Sequence, residues 1–226
     1  MHDDRLSLPR RLAAAAPDTA LAGLYLWCWI DPLAWRKTLV AELMLVMLVE
    51  FLVIHSGPFL GILVMGEDSG TSRATRLKML LGLGAVYLLF AGGMSAAFET
   101  WGPVLLFAWL IGAKLVAILL GRSPDGSERG RQMAFWALSV LFYLGAVFAT
   151  LFLPVPELGI TRSGADYGIP GSGEWVSNPQ IPIAAGLVYF SALGLAKLLA
   201  GSPWSNALGQ KIVASQSRKS SSAASR

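Results

Sequence analysis

The sequence predicts an all-α fold, a bundle of about six transmembrane helices with one long irregular loop on the outer side. Two observations predict it. The chain is 54% hydrophobic and only 14% charged, a composition that does not describe a soluble surface. Its apolar residues form long segments without the alternation of barrel strands, and backbone groups in lipid must pair internally, so the segments are interpreted as helices.

Five segments are clear candidates for crossing roughly 30 Å of hydrocarbon, and a sixth is marginal. The marginal segment is 12–30, whose firmly apolar part begins only at Ala20. The clear segments are 39–65, 77–98, 102–121, 133–153 and 181–200. We expect a cytoplasmic segment 1–11, a helical membrane domain 12–204 that includes the outer loop 154–180, and a disordered, basic, Ser-rich cytoplasmic tail 205–226.

The distribution of Lys and Arg predicts the orientation of the bundle. The loops 66–78 and 121–132 each carry three basic residues and the tail carries four, whereas the loop 154–180 carries only Arg162. Both termini are therefore expected in the cytoplasm of an integral plasma (inner) membrane protein, of bacterial type. Tryptophans near the helix ends, Trp136 among them, fit the aromatic belt at the membrane interfaces.

The net charge of +4 does not predict nucleic-acid binding. The tail alone accounts for it, and a basic tail suits an anionic lipid leaflet better than a nucleic-acid groove. The partners expected are the lipid bilayer and other membrane subunits or a second copy of the chain. Small residues in the segment 77–98, at Gly92, Gly93, Ala96 and Ala97, favour close helix packing within the bundle or against another chain.

Glu50 and His55 lie close to the middle of the apolar segment 39–65. The bilayer centre is the most expensive place for an ionised group, and such residues are by default candidates for function. On a straight helix their side chains point about 140° apart. They converge only if the helix is distorted.

Gly57 and Pro58 supply a candidate distortion in the same segment. Pro58 lacks the N–H that would have reached the carbonyl of Ile54, and Gly57 lowers the cost of opening the turn. A broken helix with open carbonyls beside an imidazole is one way in which membrane proteins build ion and substrate sites. An ordinary kinked helix has the same sequence pattern.

Lys114 is a candidate counter-charge, because it lies near the middle of the segment 102–121 at a depth similar to that of His55. A buried pair with Glu50 would lower the cost of both charges. The alternative is that Lys114 extends its ammonium group to the cytoplasmic head groups. Glu50, His55 and Lys114 therefore form a hypothetical intramembrane polar site.

The outer loop is rich in Gly and Pro and is unusually long for a segment without regular structure. It is either a solvated linker, a cap over the outer mouth or a docking surface for a partner. Its candidate residues are Asp166, Tyr167, Glu174 and Trp175.

The sequence predicts no catalytic residues and no metal site, and it indicates no particular cofactor. A haem held by two imidazoles is disfavoured because the only other histidine is His2. The favoured function is a non-catalytic accessory, assembly or interaction subunit of a membrane complex. The alternative is a small transporter or channel that uses Glu50, His55 and Lys114 for proton or ion coupling, and an intramembrane enzyme is the third class.

Overall fold

The computed structural model describes residues 8–65, 72–120, 126–160 and 166–199, and within these ranges every regular element is a helix. The prediction of an all-α bundle is confirmed. The helices are α1 (Leu8–Ile30), α2 (Leu39–Met65), α3 (Arg73–Ala97), α4 (Gly102–Leu119), α5 (Gly126–Phe152), the short α6 (Glu174–Ser177) and α7 (Gln180–Leu199). The predicted tail 205–226 lies outside the described residues.

Five of these helices are long and apolar enough to cross a membrane, namely α2, α3, α4, α5 and α7. They coincide with the five segments that the sequence predicts as clear spans. The marginal first segment is also a helix, α1, with 23 residues. It is not among the five, and its first part contains Arg10, Arg11 and Asp18.

The described chain divides into two compact units. In the first unit, residues 8–24 of α1 pack against residues 187–199 of α7. Gly194 permits close approach, because a Cβ added there would lie 2.9 Å from Thr19 Oγ1. The guanidinium group of Arg11 donates to the carbonyl of Leu198 at 3.2 Å, which satisfies a carbonyl in the last turn of α7. These contacts run in opposite chain directions, so the two segments are antiparallel.

The second unit, residues 25–186, is organised around α2. This helix contacts α3, α4 and α5. Two apolar clusters join α2 to α3 and α4, and each is composed of residues that are almost fully buried. The clusters are Leu60, Leu80, Ile111 and Ile118, and Leu52, Tyr87, Ala91 and Phe107.

The outer loop begins with an anchored segment rather than a freely solvated one. The N–H of Gly159 donates to the carbonyl of Trp29 at 3.0 Å, and the indole of Trp29 donates to the carbonyl of Pro156 at 2.9 Å. Gly159 has no room for a side chain, because an added Cβ would overlap the carbonyl of Ile30. The loop thereby satisfies an end carbonyl of α1 that has no partner within its own helix.

Candidate functional site

One face of α2 accepts hydrogen bonds from three aromatic side chains of neighbouring helices. The donor and acceptor pairs are Tyr25 to the carbonyl of Leu43 (2.6 Å), Tyr143 to that of Met47 (3.0 Å) and Trp136 to that of Ile54 (2.9 Å). The bonds from α5 show that α5 runs antiparallel to α2. Because each carbonyl oxygen has two lone pairs, a helical carbonyl can accept a second bond without losing the first.

The bond to Ile54 differs from the other two because of Pro58. Pro58 has no N–H, so the carbonyl of Ile54 lacks its usual partner one turn further along α2. The indole of Trp136 replaces that donor. Ser56 donates instead to the carbonyl of Val53 at 3.0 Å. The open carbonyl that the sequence suggests at this position is therefore occupied, and α2 stays helical through Pro58.

Gly57 lies directly against this aromatic donor. A Cβ added to Gly57 would be 3.5 Å from Cδ1 of Trp136, which is an ordinary contact distance. The absence of a side chain at Gly57 is therefore compatible with the close position of the indole but is not required by it.

Glu50 lies on the face of α2 that accepts the aromatic donors, since positions 43, 47, 50 and 54 fall within about 60° of one another at helical spacing. The residue as a whole is half-buried. Its charge acts on the phenol groups of Tyr25 and Tyr143. Glu50 therefore lies on the same face of α2 as the carbonyls that accept from Tyr25 and Tyr143, whose phenols carry exchangeable protons.

His55 has a different set of neighbours. Its ring stacks on Phe51 with centroids 6.0 Å apart, and it contacts Phe59 at 5.5 Å and Tyr87 at 6.3 Å. The side chain is exposed on the surface of the bundle. Among the described residues, the imidazole nitrogens form no hydrogen bond and no ion pair.

His55 lines an open groove between α2 and α5. The groove has a volume of about 480 Å³. Its walls are otherwise apolar or aromatic and consist of Phe51, Ile54, Pro58, Phe59, Trp136, Val140, Tyr143 and Leu144. The segment where Gly57 and Pro58 predict a helix break thus lies beside a groove in the protein surface, but α2 is continuous there.

Lys114 lies on α4 and is half-buried. It is one helical turn from Ile111 and from Ile118, which belong to an apolar cluster of the second unit. It does not line the groove that contains His55. The structure thus places the three predicted polar residues on two helices, Glu50 and His55 on α2 and Lys114 on α4.

Two of the four candidates in the loop 154–180, Asp166 and Glu174, form local hydrogen bonds. Asp166 accepts from the N–H of Gly168 at 2.9 Å, and Glu174 accepts from the side chain of Asn178 at 2.7 Å. Tyr167 is buried and Trp175 is half-buried. Tyr167 thus packs into the protein, while the two carboxylates bond to groups within the loop.

Sequence reasoning missed an ion pair in the first unit. Asp18 Oδ2 lies 2.6 Å from Lys197 Nζ, and the two side chains are 11% and 32% exposed. The predicted topology held a usable signal, because it places both residues towards the cytoplasmic ends of their helices. For the donors to α2 no comparable signal exists, since Trp136 is 82 residues from Ile54 in sequence.

Comparison with protein-family models, with curated proteins and with solved structures finds no match to this chain. Its function is therefore inferred from the bundle itself.

Proposed function

We propose that this membrane protein is a non-catalytic accessory or assembly subunit whose outward helix faces bind transmembrane helices of another subunit. The observation that carries this proposal is the uneven burial of the helices in the second unit. Of the apolar stretch of α2, 61% is buried, against 22% in α3, 22% in α4 and 17% in α5. Most residues in the apolar stretches of these three helices are therefore not fully buried within the chain.

The outward face of α3 has features that suit a protein partner as well as lipid. Leu89 and Phe90 are 77% and 60% exposed. Gly82 and Gly93 lie on the same side of the helix as Leu89, and an added Cβ at either glycine would meet nothing within 4 Å. Small residues between large apolar ones permit close approach of a second helix, which is how helices associate in lipid.

Site-specific photocrosslinking in native membranes tests this function. A diazirine amino acid at Leu89 should yield a discrete adduct with another membrane protein. The matched control is Leu80, on the same helix and fully buried, where only crosslinks within the chain are expected. An adduct with a second copy would identify self-association. Lipid adducts alone at Leu89, together with purification of the chain without any co-migrating subunit, would contradict the proposed function.

The orientation is part of the same proposal. We infer that both termini are cytoplasmic and that the membrane is the plasma (inner) membrane of a bacterium, because the basic residues concentrate in loops 66–78 and 121–132 and in the tail. In this arrangement α1 also crosses the bilayer. Reporter fusions in the loops 66–78 and 154–180 should report opposite sides, and the same side for both would refute the topology.

A transport function is the second candidate, and the position of Glu50 favours it. A half-buried glutamate on the helix face that accepts from two phenols forms with them a short series of proton-exchanging groups. In proteoliposomes with an internal pH dye, Glu50→Gln should then abolish proton movement without lowering the yield of folded protein. Equal proton movement in the wild type and Glu50→Gln would exclude this role for Glu50.

A further inference from the structure

We propose that the groove between α2 and α5 binds a quinone or quinol, a membrane-soluble molecule with a flat ring, ring oxygens and a hydrocarbon tail, and that His55 forms a hydrogen bond with a ring oxygen. This inference is independent of the proposed partner surface on α3. It rests on the composition of the groove walls, on the position of the groove along the helices and on the uncommitted polar group of His55.

The walls of the groove suit a ring. Four of the lining side chains are aromatic: Phe51, Phe59, Trp136 and Tyr143. Aromatic faces stack on flat rings. Small-molecule pockets commonly enclose about 300–1,000 Å³, and this groove of about 480 Å³ therefore accommodates a substituted ring and the first part of a tail.

The groove is reached from the hydrocarbon phase. It lies along the apolar stretches of two candidate membrane helices, Leu39–Gly61 and Gln132–Phe152. Its rim includes Phe51 and Phe59, each 48% exposed, and Leu144, which is 41% exposed. A ligand that enters between these side chains comes from lipid rather than from water. This route selects a lipophilic molecule.

The polar side chains in the walls already form hydrogen bonds within the protein, with the exception of His55. The indole of Trp136 donates to Ile54 and the phenol of Tyr143 donates to Met47. His55 alone among the lining side chains has polar atoms that, within the described part of the chain, bond to nothing. A polar group in hydrocarbon without a hydrogen bond is costly. A ligand that brings one oxygen to His55 removes that cost.

The chemistry of imidazole matches both redox forms of the ligand. A neutral imidazole offers one N–H donor and one acceptor nitrogen. A quinone carbonyl accepts from the donor, and a quinol hydroxyl donates to the acceptor. A saturated acyl chain has no group for His55, which is why a ring with oxygen substituents is assigned rather than a lipid tail alone.

Binding measurements in lipid nanodiscs test the assignment. The probe is a benzoquinone with a decyl tail, and the reference compound is decylbenzene, which has a ring and tail but no oxygen. Affinities are corrected for partition into empty nanodiscs. His55→Phe keeps an aromatic ring and removes the hydrogen bond, so it should weaken the benzoquinone about tenfold, equivalent to about 1.4 kcal/mol, and leave decylbenzene unchanged. His55→Gln should retain most of the affinity.

A second variant keeps the test valid if His55→Phe does not fold. Val140→Phe fills the groove from the α5 wall and should abolish binding of both compounds. Its matched control is Val188→Phe on α7, at an exposed valine outside the groove, which should bind as the wild type does. Equal affinity of the two compounds for the wild type, or unchanged benzoquinone binding in Val140→Phe, would overturn the assignment.

Discussion

Each of the two compact units contains its own kind of polar contact between helices. In the first unit, charged side chains join α1 to α7: Asp18 pairs with Lys197, and Arg11 donates to the end of α7. In the second unit, the contacts that reach α2 come from neutral aromatic donors, two tyrosines and a tryptophan. Both arrangements join helices, one through charged groups and the other through neutral hydrogen-bond donors.

Charged and neutral polar groups differ in the free energy lost when they are buried without a partner. A buried charge without a partner is far more expensive than a neutral carbonyl without one. The charged contacts are found towards one end of α7, with Lys197 in its last turn. Two of the three neutral donors act nearer the middle of α2, at Met47 and Ile54, where an ionised group is more costly. We therefore expect that removing one partner of a charged contact lowers the free energy of unfolding more than removing a neutral donor does.

The largest effect is expected from Lys197→Met. This change strands the carboxylate of Asp18, whose side chain is 11% exposed. It should lower the free energy of unfolding by about 3 kcal/mol, since breaking one side of a buried ion pair leaves an uncompensated charge. Equilibrium unfolding in mixed micelles measures this change in free energy. The double variant Asp18→Asn with Lys197→Met should recover most of the loss, and additive losses would show that the pair is not coupled.

The next effect is expected from Trp136→Phe. The carbonyl of Ile54 then has neither the indole nor an N–H at Pro58, and an unsatisfied buried acceptor costs about 1–3 kcal/mol. In a Pro58→Ala background, the restored N–H should reduce that loss. Unfolding of the four variants in this cycle isolates the coupling between the two sites.

The control for this cycle is Trp109→Phe on α4, at a tryptophan that is 75% exposed. It should leave stability unchanged. If Trp136→Phe costs the same with and without Pro58, the loss comes from packing volume alone, and the hydrogen bond to Ile54 has no special value.

A smaller effect is expected from Tyr143→Phe. The carbonyl of Met47 still accepts the N–H of Phe51 within α2, so at that carbonyl the change removes a second bond, worth about 0.5–1.5 kcal/mol. Tyr87→Phe serves as the control, because Tyr87 is buried and its hydroxyl forms no hydrogen bond in the described part of the chain. Thermal unfolding in detergent compares them. A larger loss for Tyr143→Phe than for Trp136→Phe would reverse the ranking.

The smallest effect is expected from Arg36→Ala. Arg36 pairs with Glu42 near the start of α2, but the two side chains are 61% and 41% exposed. Glu42 also accepts from the hydroxyl of Thr38 at 2.8 Å. Exposed ion pairs contribute about 0–1 kcal/mol, so the melting temperature should barely move. Lys37→Ala is the neighbouring control. A loss as large as that of Lys197→Met would show that exposure does not decide the strength of these pairs.

Part of the arrangement around α2 follows from local sequence. Pro58 lacks an N–H wherever it occurs in a helix, so the missing partner of Ile54 is predictable from two residues in one segment. The replacement donor is not predictable in this way. Trp136 is expected at a membrane interface on composition and position alone, and only the packing of α5 on α2 brings its indole to the carbonyl.

The class of the protein and the positions of its apolar helices follow from the order of residues along the chain. The predicted segment 39–65 coincides with α2, because hydrophobic length and helix formation in lipid are properties of consecutive residues. Which polar groups meet depends on helix packing, which brings Asp18 to Lys197 and Trp136 to Ile54. These contacts join residues far apart in the chain, and their geometry depends on the register and rotation of packed helices, which hydropathy does not encode.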